Sequence, residues 1–266
     1  MKKIVFMLLC LMVLTEGSAA RRTDVKKQVY ALKDSARTVP PTEWCPEYQY
    51  SYCEAMVEVP DVKGVVKDSI VAWINARFEN EGPVIYDIDK LIRQRFKRFH
   101  DQEAEERAAD EGGPMNPYSY GMTITIDTIS ADYISLIFGL EEYYGGAHGS
   151  FIFAGSTFRR SDGKELLWTD YFDDPEAIRP YLTDAFDNGD RDVCPEWDIV
   201  YDFTQTTEDT YPIPNCDPWI TKGNKMSFMY QQYEIGPYAM GMPTCDIPIS
   251  KIRHLIKPAL RKILCK

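Results

Sequence analysis

Apolar and polar positions along this chain change their spacing several times, and each change marks an element. Over residues 48–59, Tyr48, Tyr50 and Tyr52 alternate with polar neighbours and an apolar, β-branched run follows, so a strand is expected there until Pro60-Asp61 stops it. Val66, Ile70, Trp73, Ile74 and Phe78 then recur at helical spacing, and Gly82-Pro83 is the expected stop. A second helix is expected from Asp87 or Asp89, with Ile88, Leu91, Ile92, Phe96 and Phe99 on one stripe. Arg93, Arg95, Lys97 and Arg98 fill its remaining surface and read as a solvated basic face. Beyond His100 the stripe disappears, so residues 101–113 are expected to fray into a charged loop closed by Gly112-Gly113-Pro114.

From Tyr118 the period becomes two. Met122, Ile124 and Ile126 alternate with Thr123, Thr125 and Asp127, and a turn at Ser130-Ala131-Asp132 leads into a second strand over residues 133–138. Residues 151–158 form a third expected strand, which Ser161-Asp162-Gly163-Lys164 reverses into residues 165–168; Asp-Gly is a strong hairpin signal. An antiparallel sheet accounts for these runs with the fewest assumptions. Asp174-Pro175 has the N-cap and first-turn pattern of a helix carrying Ile178, Tyr181, Leu182 and Phe186, in which Pro180 imposes a kink or marks the true start.

The first twenty residues read as an address. Lys2 and Lys3 precede an apolar run over residues 4–14, too short for a comfortable membrane span, and Ser18-Ala19-Ala20 supplies small residues for cleavage. Residues 1–20 are therefore expected to be a signal peptide, and the mature chain, periplasmic or extracellular, to start near Arg21. Leu9 stands before Cys10 and the apolar run continues to Leu14, which weighs against lipid attachment. No later stretch is long and apolar enough to span a bilayer. Residues 21–41 are polar, end in Pro40-Pro41 and are expected to be a mobile lead-in. A strand-helix-helix part follows over residues 42–117, then a C-terminal domain over residues 118–266.

Charge and cysteines sharpen this picture. The chain carries a formal charge of -11, and removing the leader's net +1 leaves the mature part near -12. That balance argues against nucleic acid and anionic membranes and suits a basic protein partner, although solubility alone explains it as well. Apart from Cys10 there are six cysteines, Cys45, Cys53, Cys194, Cys216, Cys245 and Cys265, an even number that in an exported chain suggests disulfides. Pairing of sequence neighbours is the simplest of many possible schemes. A zinc site has no support from a chain without CxxC and with scattered histidines, and no cofactor motif is present.

The candidate chemistry lies in Glu141-Glu142-Tyr143-Tyr144-Gly145-Gly146-Ala147-His148-Gly149-Ser150. Its glycines allow a tight turn with positive φ, and His148 is the titratable group inside it. Tyr143, Tyr144, Gly145, Gly146, His148 and, from the late segment, Tyr238 are the candidate binding residues. Two readings stay open: a site with rigid aromatic anchors, or a corner whose tyrosines pack into the core. A third assigns His148 as the general base of a hydrolase, oriented by Glu141, Glu142 or Asp170, against a histidine merely held by the turn backbone. No Gly-x-Ser-x-Gly elbow occurs. His100 and His254 read as surface or helix-flanking residues.

Three motifs in order carry a resemblance. Tyr144-Gly145-Gly146-Ala147-His148-Gly149, then Asp162-Gly163-Lys164-Glu165-Leu166 with Trp168-Thr169-Asp170-Tyr171-Phe172, then Tyr233-Glu234-Ile235-Gly236-Pro237-Tyr238-Ala239-Met240-Gly241 before Asp246-Ile247-Pro248-Ile249-Ser250-Lys251-Ile252, resemble the C-terminal domain of RsiV/PdaC-type exported proteins. The likeness covers roughly residues 118–256, and residues 48–78 are similar to the part that often precedes it. Residues 187–217, with Cys194 and Cys216, look like an insertion. The resemblance implies an α+β fold, an antiparallel β-sheet with helices packed mainly on one face. In one branch of the family the domain binds lysozyme outside the membrane as part of an anti-sigma factor, and in another it accompanies a peptidoglycan deacetylase domain. Neither companion is legible here: no deacetylase signature of Asp with paired His occurs. The resemblance thus implies a non-enzymatic envelope-binding or sensor-like module whose partner is a lysozyme-like muramidase or a peptidoglycan fragment.

Overall fold

A computed structural model describes residues 26–39, 49–109, 116–188, 191–192 and 210–264. The expected signal peptide lies outside these residues, as do Cys10, Cys45, Cys194 and Cys265. The first part of the chain supplies β1 (Lys27–Val39), β2 (Gln49–Pro60), α1 (Val65–Arg77), α2 (Ile88–Ala109), β3 (Ser119–Ile129), β4 (Tyr133–Tyr143), β5 (Ser150–Arg159) and β6 (Glu165–Leu166). Those strands form one six-stranded sheet in chain order. All its neighbours are antiparallel except β2 and β3, which run parallel from Tyr52↔Ser119 to Val57↔Ile124. Parallel neighbours need a long crossover, and α1 and α2 provide it. Both helices lay their apolar stripes on one face of the sheet, where Ile70, Ile74, Phe78, Leu91, Phe96 and Phe99 meet Val57, Tyr120, Ile124, Leu136 and Phe158 in one core.

Several sequence expectations change here. The stretch expected as a mobile lead-in contains β1, paired along its length from Lys27↔Pro60 to Val39↔Gln49. Tyr30 and Leu32 turn toward the core while Lys33 pairs with Glu54 at 2.5 Å, so charges mask the pattern on what is an edge strand. The helix expected to fray after His100 continues to Ala109. Its last turns are held by polar contacts instead of an apolar stripe: fully buried Glu103 accepts from Ser51 Oγ (2.5 Å) and Arg107 Nη2 (2.6 Å), and Arg107 lies over the Tyr118 ring. α1 stops before Gly82-Pro83, where Phe78 caps it and Glu79 takes φ 53°.

The rest of the chain builds a second layer. It comprises α3 (Trp168–Tyr171), a 3-10 turn (Pro175–Ile178), α4 (Arg179–Asn188), β7 (Arg191–Asp192), β8 (Trp219–Thr221), β9 (Lys225–Met229), a 3-10 turn (Tyr238–Met240), β10 (Thr244–Pro248), α5 (Ile249–Ile252) and α6 (Pro258–Leu264). Its sheet runs β7-β10-β9-β8, all antiparallel. Asp174 caps the 3-10 turn by accepting from Glu176 N, and Pro180 sits in the first turn of α4, the start that its ring permits. Leu182, Phe186, Phe228, Ile247, Ile252 and Leu260 share a second core. β3 to β6 complete the first sheet, so the change of sheet falls after Leu166. The two layers meet where Trp219 lies against Gly155 and Ile220 N donates to Thr157 Oγ1 (2.9 Å). The fold is α+β.

Candidate functional site

The glycine turn joins β4 to β5 at one end of the first sheet, just beyond the Glu142↔Ser150 pair. Gly145 takes φ 82°, a conformation costly for side chains with a Cβ. Tyr143 Oη donates to Gly146 O (2.9 Å) and accepts from Asn116 Nδ2 (3.0 Å), pinning the turn from below. Tyr143 is thus committed to holding the loop.

Tyr144 and His148 leave the turn toward different surroundings. The Tyr144 ring stands 5.9 Å from Phe99 and 5.4 Å from Tyr118, packed against the middle of α2. Its hydroxyl donates to Glu142 Oε1 (2.8 Å), which also accepts from Arg95 Nη2 (3.0 Å). Arg95 is the exception to the expected solvated basic face: it is buried, its guanidinium lies 4.3 Å from the Tyr120 ring centroid, and its Nε is 3.4 Å from Glu79. Arg93, Lys97 and Arg98 are exposed as expected. Burial, with the Glu142 carboxylate as the next cause, pushes the Tyr144 phenol up to about 12. The cluster clamps the turn to α2.

His148 is exposed and stacks on Tyr238, ring centroids 4.0 Å apart and planes 29° apart. Its Nδ1 is 3.0 Å from Gly149 O, and Tyr238 Oη donates to the same carbonyl at 3.1 Å. A carbonyl only accepts, so Nδ1–H is the donor to Gly149 O, and Nε2 lies 3.4 Å from Tyr233 Oη. Tyr233 adopts φ 66°, is 62% exposed and lies 5.9 Å from Tyr238. A groove of about 350 Å³ opens beside this shelf, along the outer edge of β5. There Gln231 replaces a neighbouring strand: its Oε1 accepts from Phe153 N (3.3 Å) and its Nε2 donates to Phe153 O (2.7 Å), while Gln232 Oε1 accepts from Phe151 N (3.3 Å). Cys216 borders the groove, its thiol raised chiefly by burial.

Of the residues expected to form the site, His148 and Tyr238 come together; Tyr143 and Tyr144 serve the turn's attachment. Tyr233, Gln231 and Gln232 were not singled out as site residues, although Tyr233 opens the late motif. The carboxylates proposed to orient His148 point elsewhere. Glu142 serves Arg95 and Tyr144, and Asp170 pairs with Lys164 and accepts from Leu167 N. Glu141, its acidity weakened by burial and then by Glu54, pairs across the sheet with Phe151. Among the described residues no carboxylate contacts His148. His254 meets Tyr181 Oη at 3.1 Å and His100 meets buried Cys53 at 3.7 Å, so the three histidines sit in three places. No group of metal-ligating side chains forms among the described residues. Cys53, Cys216 and Cys245 are free thiols there, and the sequence neighbours expected to pair with them lie outside those residues.

Two family models match the chain. Residues 47–151 match the one described as deacetylase PdaC, and residues 169–250 the one described as protein of unknown function DUF3298. A crystal structure of a DUF3298 family member from Bacteroides fragilis shares the fold with a TM-score of 0.63 at 17% identity, covering 91% of this chain and 96% of that one. A DUF3298 family protein from Pseudomonas aeruginosa follows with a TM-score of 0.58 at 14% identity, covering 89% and 96%. At these identities the likeness is one of fold. No functionally curated protein matches the chain.

Proposed function

We propose, from the likeness to the PdaC and DUF3298 family models over residues 47–151 and 169–250, that the chain is an exported, non-enzymatic module that binds a component of the cell envelope through the His148–Tyr238 shelf, with peptidoglycan glycan as its ligand. The observation that carries this is the pair of stacked rings, extended by exposed Tyr233, beside a groove edged by the amides of Gln231 and Gln232. Aromatic faces supply rigid apolar contact for sugar rings, and a few amides supply orientation. The hydrolase reading fares worse, since both His148 ring nitrogens have a neighbouring oxygen and, among the described residues, no carboxylate orients the ring. The acidic charge favours a second ligand, a basic lysozyme-like muramidase.

The test is calorimetric titration of the mature, oxidised protein with soluble muropeptides and with a panel of lysozymes, at low and physiological salt. Muropeptide binding that depends little on salt and is lost in Tyr238→Ala supports a glycan module. Lysozyme binding that salt weakens supports the second ligand. Silence toward both overturns the proposal.

A further inference from the structure

Arg77, at the last position of α1, has an unusual environment for an arginine in so acidic a chain. Its guanidinium lies over two aromatic rings, 4.8 Å from the Trp73 centroid and 5.3 Å from that of Phe138. Its Nε is buried without a hydrogen-bond partner. Among the described residues no carboxylate pairs with it, whereas Arg95, Arg107, Arg159 and Arg179 all have one. A stacked guanidinium is pre-organised, and its fork of N–H donors matches a carboxylate. What it lacks is the anion.

Arg77 does not line the groove, but the sheet carries it to the face of β5 that leads there. Phe138 pairs across β4 and β5 with Ala154, and Ile152, two residues along β5 and therefore on the same face, lines the groove and is 43% exposed. The positive charge also reaches Cys216 on the groove wall, where it opposes the upward push of burial on the thiol.

We infer that the groove is a subsite for a carboxylate-bearing N-acylated saccharide, with the sugar ring on the His148–Tyr238 shelf and the carboxylate on Arg77. This rests on the glycan reading above and names the ligand's charge. It also accounts for an acidic ligand on an acidic protein, because among the described residues no carboxylate pairs with the Arg77 cation.

The experiment compares a soluble muramic-acid-containing muropeptide with a neutral N-acetylglucosamine oligomer of equal length, by calorimetry against the full mature chain, Arg77→Met and Arg77→Lys. A hydrogen-bonded charge contact predicts that the wild type prefers the muropeptide by about tenfold or more. Arg77→Met is expected to abolish the preference while binding the neutral oligomer within about twofold of wild type, and Arg77→Lys to retain part of it. Far-ultraviolet circular dichroism and retained oligomer binding show that the variants are folded. Equal wild-type affinity for both ligands, or a preference that survives Arg77→Met, overturns the inference and leaves the glycan reading standing. Binding of neither ligand overturns both, and so does lysozyme binding without saccharide binding.

Discussion

Placing an alanine at position 155 tests how the groove is assembled. Gly155 lies in β5 two residues from Phe153, and Trp219 follows the loop that carries Cys216 to the groove wall. A Cβ on Gly155 falls 2.1, 2.2 and 2.6 Å from Trp219 Cδ2, Cγ and Cε2, whereas ordinary carbon contacts lie near 3.5–4.0 Å. The indole must retreat by more than about 1 Å, and at 2% exposure it has little room. Overpacking of this kind costs about 1–3 kcal/mol, and the closeness of three ring atoms places Gly155→Ala at the upper end. For a chain of this size that is a fall in melting temperature of roughly 5–10 °C. Urea unfolding of the wild type, Gly155→Ala, Trp219→Leu and the double variant forms a cycle. Trp219→Leu is expected to destabilise by about 3 kcal/mol through the cavity it leaves, and in that background the added methyl is expected to cost less than about 1 kcal/mol. A cost for Gly155→Ala below about 0.5 kcal/mol, or an equal cost in both backgrounds, would refute this account of how the two layers dock.

Other consequences follow from the clamp, the thiols and the surface carboxylates. Arg95→Met leaves Glu142 without its buried cation and is expected to destabilise by about 3 kcal/mol, read by chemical denaturation; a loss under about 1 kcal/mol would show that the cluster does not clamp the turn. In the reduced protein Cys216 is expected to react with a thiol reagent before Cys53, which is buried with its thiol pushed up to about 12 chiefly by desolvation; peptide mapping by mass spectrometry decides, and faster labelling of Cys53 contradicts the burial. Arg159 hydrogen-bonds Asp162 and holds its carboxyl down at about 2, below its unfolded value, so its contribution is present above about pH 4 and lost as pH falls toward 2. Asp162→Asn should flatten that part of the stability profile, an effect made small by solvent exposure; an unchanged acid limb would exclude it.

Much of the sheet was legible because one face of each strand is buried. Met122, Ile124 and Ile126 alternate, and Asp162-Gly163 closes the hairpin that joins β5 and β6. β1 was hidden because an edge strand spends its polar residues on solvent and on cross-strand pairs such as Lys33 with Glu54. The last turns of α2 were hidden because Glu103 replaces an apolar residue inside and pairs its Oε1 with Ser51 and Arg107, a match that only the tertiary fold creates. The site divided in the same way. Local sequence placed His148 in a glycine turn, and the late motif supplied Tyr238, but no local signal tells which of Tyr143, Tyr144 and Tyr238 faces the histidine. That depends on the 3-10 turn at Tyr238–Met240 returning beside Gly149. Gln231 was invisible because its role is to satisfy the Phe153 backbone on a strand edge that the sequence alone does not expose.

The central claim is that the His148–Tyr238 shelf binds envelope glycan, and the most direct measurement is the chemical-shift change of the labelled protein titrated with soluble muropeptides. The account predicts saturable shifts centred on His148, Tyr233, Tyr238 and the Gln231–Gln232 amides and extending to Arg77, abolished by Tyr238→Ala and retained in Tyr144→Phe. Shifts centred on Tyr144, or none at saturating ligand, would contradict it.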